Sequence, residues 1–433
     1  MNKKLISKIT YKLKLASEVN KINIKDNKRK LILIKNTLKK NKYLIIKSII
    51  KDVGKAKKDA ENEFKASIEI WNYVIKNIDF IRKNKKFNFN KKAEGEVAYS
   101  PLGLVAFITP WNYPLLTLSE RLPFCLATGS TAIIKQSEYS QKFKNVLFKI
   151  FNKKKFSAFL HILKSTNHKT GSVLCSDENI SAISFVGSTE TGKKILKQTS
   201  STLKKTYLEL GGKNSAIVSK KADLKLAIKE IVKGIFENGG QACVGISRLI
   251  VHKEIYKKFI KDLIFNIKKR YEKDQLILQV PANKIQKRKV EKKINFIKKK
   301  YKNKILKTFN LGSSKFTPIF LYLNNSDNYF INTEFFFPIV TIETFQDIKE
   351  AININNISKF GLAAYTFTSS KKEKRMLSLK LNSGRIWHNS ALIWNPSLPV
   401  GGFGLSGQDR DMGIKGFDNY LTSKSIYSKK IYG

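Results

Sequence analysis

Between residues 97 and 251, short apolar runs alternate with amphipathic stretches, and that alternation leaves the chain few architectures. Residues 97–108 read as extended, with a turn at Pro101-Leu102-Gly103, and residues 131–134 and 180–186 read as strands. Over 222–236 the apolar side chains Leu224, Ala227, Ile228, Ile231 and Ile235 share one helical face. Residues 247–251 then read as a buried strand and 254–271 as a second amphipathic helix. Strands and helices in this order predict an α/β fold on mostly parallel sheets. The first eighty or so residues read instead as helices. One covers 28–51 on Leu31, Ile34, Leu38, Ile45 and Ile49; another covers 58–82, with Gly54 between them.

At 433 residues the chain can bury a large core and should divide into at least two domains. No apolar run is long enough to span a membrane, since Pro110, Asn112 and Pro114 interrupt the best candidate at 102–118. The N-terminus is basic but lacks the apolar stretch of a secretory signal. Three scattered cysteines do not make a disulfide framework, so a reducing, cytoplasmic setting is expected. Four histidines without ligand spacing predict no metal. The formal charge of +50 comes from lysines in nearly every segment, densest over 284–304, alongside abundant Asn and Ile. An AT-rich coding sequence gives that bias by itself. With no nucleic-acid-binding signature present, a solvated basic surface and no specific nucleic-acid partner are expected.

Two residues carry the chemistry. Cys243, in Gly239-Gly240-Gln241-Ala242-Cys243 with Gly245 beyond, is a thiol framed by glycine-rich backbone, where a substrate can reach a strong nucleophile. Glu209, in Leu208-Glu209-Leu210-Gly211-Gly212, is a carboxylate able to activate water against whatever the sulfur has captured. Each has a plainer reading: the cysteine as a small buried hydrophobe, the glutamate as an exposed strand end. Upstream, Phe185-Val186-Gly187-Ser188 leaves a strand and enters a helix near Thr189, a geometry that suits a pyrophosphate, although it also suits an ordinary N-cap. No GxGxxG fingerprint occurs.

The Glu209 and Cys243 segments resemble the two signature segments of the aldehyde dehydrogenase superfamily. Further segments of that family follow in its order: Pro110-Trp111-Asn112-Tyr113-Pro114, Lys135-Gln136-Ser137-Glu138, Phe185 through Gly192, and Pro399-Val400-Gly401-Gly402 with Ser406-Gly407. The resemblance runs from about Lys28 to the end of the chain. It implies a Rossmann-like NAD-binding domain over 1–84 and 101–211, an α/β catalytic domain over 212–422, and a small β oligomerisation arm over 85–100 and 423–433. It further implies a homodimer or homotetramer. The implied reaction is oxidation of a small-molecule aldehyde to a carboxylic acid through a thiohemiacetal and a thioester on Cys243. Glu209 would activate water, and Asn112 with the Cys243 N–H would hold the oxyanion. Lys135 and Glu138 would contact the adenine-side ribose, favouring NAD while Lys135 leaves NADP open. Gly187 and Ser188 would form the pyrophosphate turn. Glu334 and Phe336 would meet the nicotinamide side.

Trp111, Tyr113, Leu116 and residues 392–394 are expected to line an entrance for an apolar or aromatic aldehyde, with Asn389 ordering a nearby loop. The chain departs from the family pattern in several places. Gln136 replaces a proline, Phe337 and Asp409 replace glycines, and the usual N-terminal strands do not precede the first helices. Residues 274–307, the least family-like stretch, are expected to be a surface excursion. Two alternatives accompany this reading: a CoA-acylating enzyme on the same fold, and a decayed basic protein that binds polyanions. The joint presence of Cys243, Glu209 and Asn112 favours the enzyme.

Overall fold

The computed structural model describes residues 3–19, 22–90, 93–272, 282–309, 318–323 and 327–429. Four helices, Lys3–Val19, Ile24–Lys40, Lys42–Val53 and Lys57–Lys76, precede the first strand. The single helix expected over 28–51 is broken at Asn41, whose Nδ2 donates back to the Thr37 carbonyl at 2.8 Å. Asn77 does the same to Tyr73 at 2.8 Å and ends the fourth helix short of residue 82. An asparagine amide competes here with the backbone ladder. The apolar face itself is as read: Leu31, Ile34, Leu38, Ile45 and Ile49 are all buried.

In chain order the strands are β1 (Lys85–Asn90), β2 (Ala93–Pro101), β3 (Leu104–Ile108), β4 (Thr131–Lys135), β5 (Leu160–Ile162), β6 (Ala182–Val186) and β7 (Lys205–Glu209). There follow β8 (Asn214–Val218), β9 (Ile246–His252), β10 (Ile305–Thr308), β11 (Ile319–Tyr322), β12 (Ile339–Phe345), β13 (Phe360–Gly361), β14 (Ala363–Phe367), β15 (Arg385–His388), β16 (Phe403–Gly404) and β17 (Leu421–Lys429). Strands β3 to β7 form a fully parallel sheet in the order β5-β4-β3-β6-β7. A second sheet runs β10-β11-β12-β9-β8-β14-β15, parallel except for the antiparallel edge strand β10. Every residue of β3, β4 and β8 is buried, as a parallel sheet covered on both faces requires. The third sheet is antiparallel: β17 pairs with β2 along its whole length, from Ala93 opposite Lys429 to Pro101 opposite Leu421, and β1 flanks β2.

Strand order in the first sheet reverses between β3 and β6, and a crevice opens beyond the carboxyl ends of the strands at such a switch point. The chain passes from this sheet to the second through residues 210–213.

The described part of 274–307 is not a loose excursion. Its helix Lys284–Lys300 buries Val290, Ile294 and Ile297 against Phe335, Phe337 and Ile339, leaving the lysines on its other faces. Residues 273–281, and the last four of the 423–433 tail, lie outside the described residues. No helix among the described residues is long and apolar enough to cross a membrane.

Candidate active site

Parallel strands deliver the site. β4 ends on Lys135, β6 runs into Gly187 and Ser188, β7 ends on Glu209, and the segment after β3 leads into Asn112. Glu209 is thus a strand terminus, but a buried one rather than the exposed strand end of its plainer reading. All nine residues singled out in the sequence (Cys243, Glu209, Asn112, Lys135, Glu138, Gly187, Ser188, Glu334 and Phe336) line one cavity of about 1120 Å³.

Cys243 reaches this cavity through a contorted backbone. The helix Leu224–Phe236 ends, and Asn238, Gly239 and Gly240 follow in the left-handed region at φ 49°, 65° and 76°. A Cβ on Gly240 would lie 2.6 Å from Pro338 Cδ, so only glycine lets the turn pass so close. The turn is then pinned. Asn214 Nδ2 donates to the carbonyls of Cys243 and Gly245 at 2.8 and 2.9 Å, and Tyr365 Oη donates to the Val244 carbonyl at 2.7 Å. Asn112 joins the same knot: its Nδ2 donates to the Gln241 carbonyl at 2.9 Å, and its own carbonyl accepts from Asn238 Nδ2 at 3.3 Å. Neither the thiol nor the N–H of Cys243 has a hydrogen-bond partner among the described residues.

Glu209 is 6% exposed, and its Oε1 is buried without a hydrogen-bond partner. Burial pushes its carboxyl up to about 7 against the pull of Arg385 and Arg121, with Asp411 and Glu120 adding to the rise. Arg121 is itself held by a buried ion pair with Asp411. Burial likewise pushes the Cys243 thiol up to about 12; Arg385 opposes this, while Glu209, Glu120 and Glu334 reinforce it. The thiol therefore rests protonated, and Arg385 is the charge that favours its ionisation.

At the other end of the cavity Lys135 is 6% exposed, and its Nζ makes one long contact, 3.4 Å, to the Gln136 carbonyl. Burial brings it down to about 8, with Glu138 pulling back. Gln136, where the family has proline, is fully buried; its Oε1 accepts from Thr109 Oγ1 at 2.8 Å, while its Nε2 is buried without a partner. Ser188 caps the helix Thr189–Thr199 by accepting from the Thr191 N–H, which leaves the Thr189 and Glu190 N–H groups without acceptors among the described residues. Glu334 Oε1 accepts from the Gly212 N–H at 3.2 Å. Burial raises this carboxyl to about 7, opposed by that N–H and by Lys293 and Lys213.

Phe335 and Phe337 are buried in the core, whereas Phe336 turns outward at φ 54° and meets Trp111 edge-on at 5.7 Å. Phe337, which stands where the family has glycine, therefore needs no glycine-like backbone. The left-handed residue of this loop is Phe336, and neither Phe337 nor Asp409 has a positive φ. Asn389 orders its loop as expected, accepting from the Thr368 N–H and donating to the Thr368 carbonyl, each at 2.9 Å. Trp111, Tyr113, Leu116, Leu392 and Trp394 line the cavity, but Ile393 is 66% exposed and points away.

Several cavity residues escaped the sequence reading. Gln286, Lys289 and Lys293 project from the lysine-rich helix, and Arg385 and Trp387 project from alternate positions of β15. The period-two placement of Arg385 and Trp387 was the one signal available for that strand. Among the described residues no group of three or more His, Cys, Asp or Glu side chains is placed to hold a metal ion.

The model of the aldehyde dehydrogenase family matches residues 8–426. The chain is 30% identical over 398 residues to aldehyde dehydrogenase NAD(P)+ 2 of Saccharomyces cerevisiae, covering 87% of this chain and 78% of that one. It is 30% identical to the betaine aldehyde dehydrogenase of Bacillus subtilis over 77% of this chain and 71% of that one. Among solved structures, the betaine aldehyde dehydrogenase of Staphylococcus aureus in complex with NAD+ superposes with a TM-score of 0.88 at 25% identity, covering 97% and 86% of the two chains. The NAD-dependent aldehyde dehydrogenase of Sinorhizobium meliloti shares the fold, with a TM-score of 0.89 at 24% identity over 99% and 87%. A chain with this fold, a family match over nearly its whole length and these relatives belongs to the aldehyde dehydrogenase family, oxidoreductases that act on aldehydes.

Proposed function

We propose that this protein oxidises an aldehyde to the carboxylic acid with NAD, holding the substrate covalently on Cys243. The observation that carries the reading is that an unpaired thiol, a partnerless buried carboxylate and a cofactor-sized row of polar groups share one cavity.

The residues present fit a dinucleotide. Lys135 is a buried amine with almost no partner, and the two residues at the start of the Thr189–Thr199 helix line the cavity with N–H groups that have no acceptor among the described residues. A Cβ on Gly187 would strike the Phe185 ring at 2.4 Å, so the turn holds its backbone bare. Lys135 and Glu138 would hold the adenine-side ribose, Gly187 and Ser188 the pyrophosphate, and Glu334 and Phe336 the nicotinamide side. The exposed carboxylate of Glu138 favours NAD over NADP. When bound, the nicotinamide supplies the acceptor for the hydride that leaves the substrate carbon.

The remaining steps belong to the chain. The Cys243 thiol adds across the carbonyl to give a thiohemiacetal, and Arg385 favours the sulfur anion as it attacks. The Cys243 N–H and the second hydrogen of the Asn112 amide hold the oxygen; removing one such donor costs about 3–4 kcal/mol of barrier. Loss of hydride from carbon and of a proton from oxygen leaves the thioester. Glu209 then takes a proton from water, the hydroxide displaces the thiolate, and the acid departs. A carboxyl poised near 7 suits a general base for hydrolysis better than a bystander to CoA transfer.

On the same reading, residues 1–84 and 101–211 form the NAD-binding domain, 212–422 the catalytic domain, and 85–100 with 423–433 the arm. The arm leaves Phe87, Phe89, Ile426 and Tyr427 exposed, which supports a homodimer or homotetramer. Three free cysteines, one of them the proposed nucleophile, suit a reducing compartment such as the cytoplasm. The direct test is NADH formation with a panel of aldehydes. Cys243→Ala abolishes turnover on this reading, and a mutant that keeps it would refute covalent catalysis.

A further inference from the structure

The backbone carbonyls of residues 241–245, around Cys243, are all taken. Asn112, Asn214 and the Gly245 N–H hold four of them, and Tyr365 holds the fifth, that of Val244, at 2.7 Å. Tyr365 differs from the other donors in coming from the middle of β14, where it is fully buried. Side chains alternate along a strand, so Ala363, Tyr365 and Phe367 share one face. That face packs with the apolar side of the helix Leu224–Phe236, which leads to Cys243. In the neighbouring strand β8 the residue opposite Tyr365 is Ala216, too small to hold the ring. On the other side, in the edge strand β15, the residue opposite is Trp387.

Trp387 sets the angle of the phenol. The two rings stack with centroids 4.8 Å apart and planes 8° from parallel, while Trp387 Nε1 donates to the Ile393 carbonyl at 2.7 Å. That loop is fastened in turn to the helix Leu224–Phe236. The Ala391 N–H donates to Glu230 Oε2, and Lys233 Nζ donates to the Ala391 carbonyl, each at 2.9 Å. The contacts close a circuit from the helix through Ala391, Trp387, Tyr365 and Val244, back to the turn that the helix feeds. Trp387 also lines the cavity, so one member of the circuit stands where a substrate would touch it. Arg385, two positions earlier on the same face of β15, acts on both the Cys243 thiol and the Tyr365 hydroxyl, which puts these groups in one electrostatic neighbourhood. Burial pushes that hydroxyl up, so it remains a donor at every assay pH. None of the steps proposed above uses it.

From this geometry we infer that Tyr365 is a positioning residue: aimed by the Trp387 stack, its hydroxyl fixes the Val244 carbonyl and so the direction in which Cys243 presents its sulfur. The inference rests on the dehydrogenase reading above. The test is a double-mutant cycle in the full chain, read as kcat/KM for an aldehyde that the unaltered protein oxidises and as KM for NAD. Rates are counted per Cys243 that iodoacetamide can alkylate. Tyr365→Phe keeps the ring and the stack and removes only the hydroxyl. It should lower kcat/KM for the aldehyde by about tenfold or more and leave KM for NAD within about twofold. Trp387→Leu removes the stack, and the double variant should be no worse than the poorer single one, because both changes act through the same bond. Iodoacetamide also reports the fold, since Cys125 and Cys175 are buried and stay unlabelled in a native body. A Tyr365→Phe protein that turns over normally per Cys243, or whose loss follows labelling of Cys125 and Cys175, overturns this inference and leaves the dehydrogenase reading standing. Losses that multiply in the double variant overturn it as well. No oxidation of any aldehyde by the unaltered protein, its Cys243 still alkylating, overturns both.

Discussion

Tyr113 donates its phenolic hydrogen to Glu237 over 2.6 Å, and this one bond ties the Pro-Trp-Asn-Tyr-Pro turn to the segment that delivers Cys243. Lys55, salt-bridged to Glu63, lies 3.4 Å from the centre of the same ring, while Glu63 accepts the Leu115 and Leu116 N–H groups. The phenol is the pivot of a network that holds Cys243 and Asn112, the proposed nucleophile and oxyanion donor, in register. Tyr113→Phe leaves a half-buried carboxylate short of a donor, and should lower unfolding free energy by about 1–3 kcal/mol. Urea denaturation checks this, and an unchanged midpoint would show the bond to be incidental.

The elevated carboxyl of Glu209 fixes a pH dependence. Below about 7 it is protonated and cannot take a proton from water, so kcat should rise with pH through about 7 if hydrolysis limits turnover. Glu209→Gln should remove that rising limb, slow turnover by about a hundredfold or more, and let the acyl-enzyme accumulate, as mass spectrometry of the intact protein would reveal. Stability moves the opposite way. The folded pKa lies above the ordinary 4.5, so the contribution of Glu209 is complete below about 4.5 and is lost as pH rises through 7. Melting curves of the Gln variant should fall less steeply across that window.

Cofactor choice should hinge on Glu138. Its exposed carboxylate repels a 2′-phosphate, so Glu138→Gln should improve kcat/KM for NADP relative to NAD by about tenfold. Lys135, lowered to about 8, sheds its proton within assay range, and use of NADP by this variant should fade above pH 8 faster than use of NAD. A preference that ignores both the substitution and the pH would remove the pair from the ribose site.

Phe337 should prove structural. It is 3% exposed beneath the Lys284–Lys300 helix, and its backbone does not require glycine. Phe337→Ala should cost about 3–5 kcal/mol, read from denaturant unfolding. If the loop were instead strained by the large side chain, the small residue would raise stability.

Much of this was legible because the chemistry sits at strand ends. Ile133 and Ile134 before Lys135, and Phe185 and Val186 before Gly187, announce both the strand and the residue it presents. The helix face of Leu224, Ala227 and Ile228 announces where the chain must stop to expose Cys243. What escaped depends on partners distant in sequence. Nothing local says that Asn41 will turn its amide onto Thr37, or that a lysine-rich stretch will bury Val290, Ile294 and Ile297 and aim Lys293 at the Glu334 loop. In a run of three phenylalanines only the packed core decides which one is expelled, so Phe336 could be singled out through the family resemblance but not from its own surroundings. Arg385 had no motif to carry it, since its role comes from facing Cys243 across the cavity.

The pairing of β2 with β17 has a consequence for how the molecule is made. Residues 93–101 leave the ribosome more than three hundred positions before their partners at 421–429, an interval on the order of tens of seconds during synthesis. For that time β2 has only β1 beside it and presents an unpaired edge, the kind that recruits stray strands from neighbouring chains. The strand that closes this edge is β17, so the β2 edge stays open until residues 421–429 have emerged. A ribosome stalled late in the message would release a body with a nearly finished catalytic cavity and an open, adhesive flank.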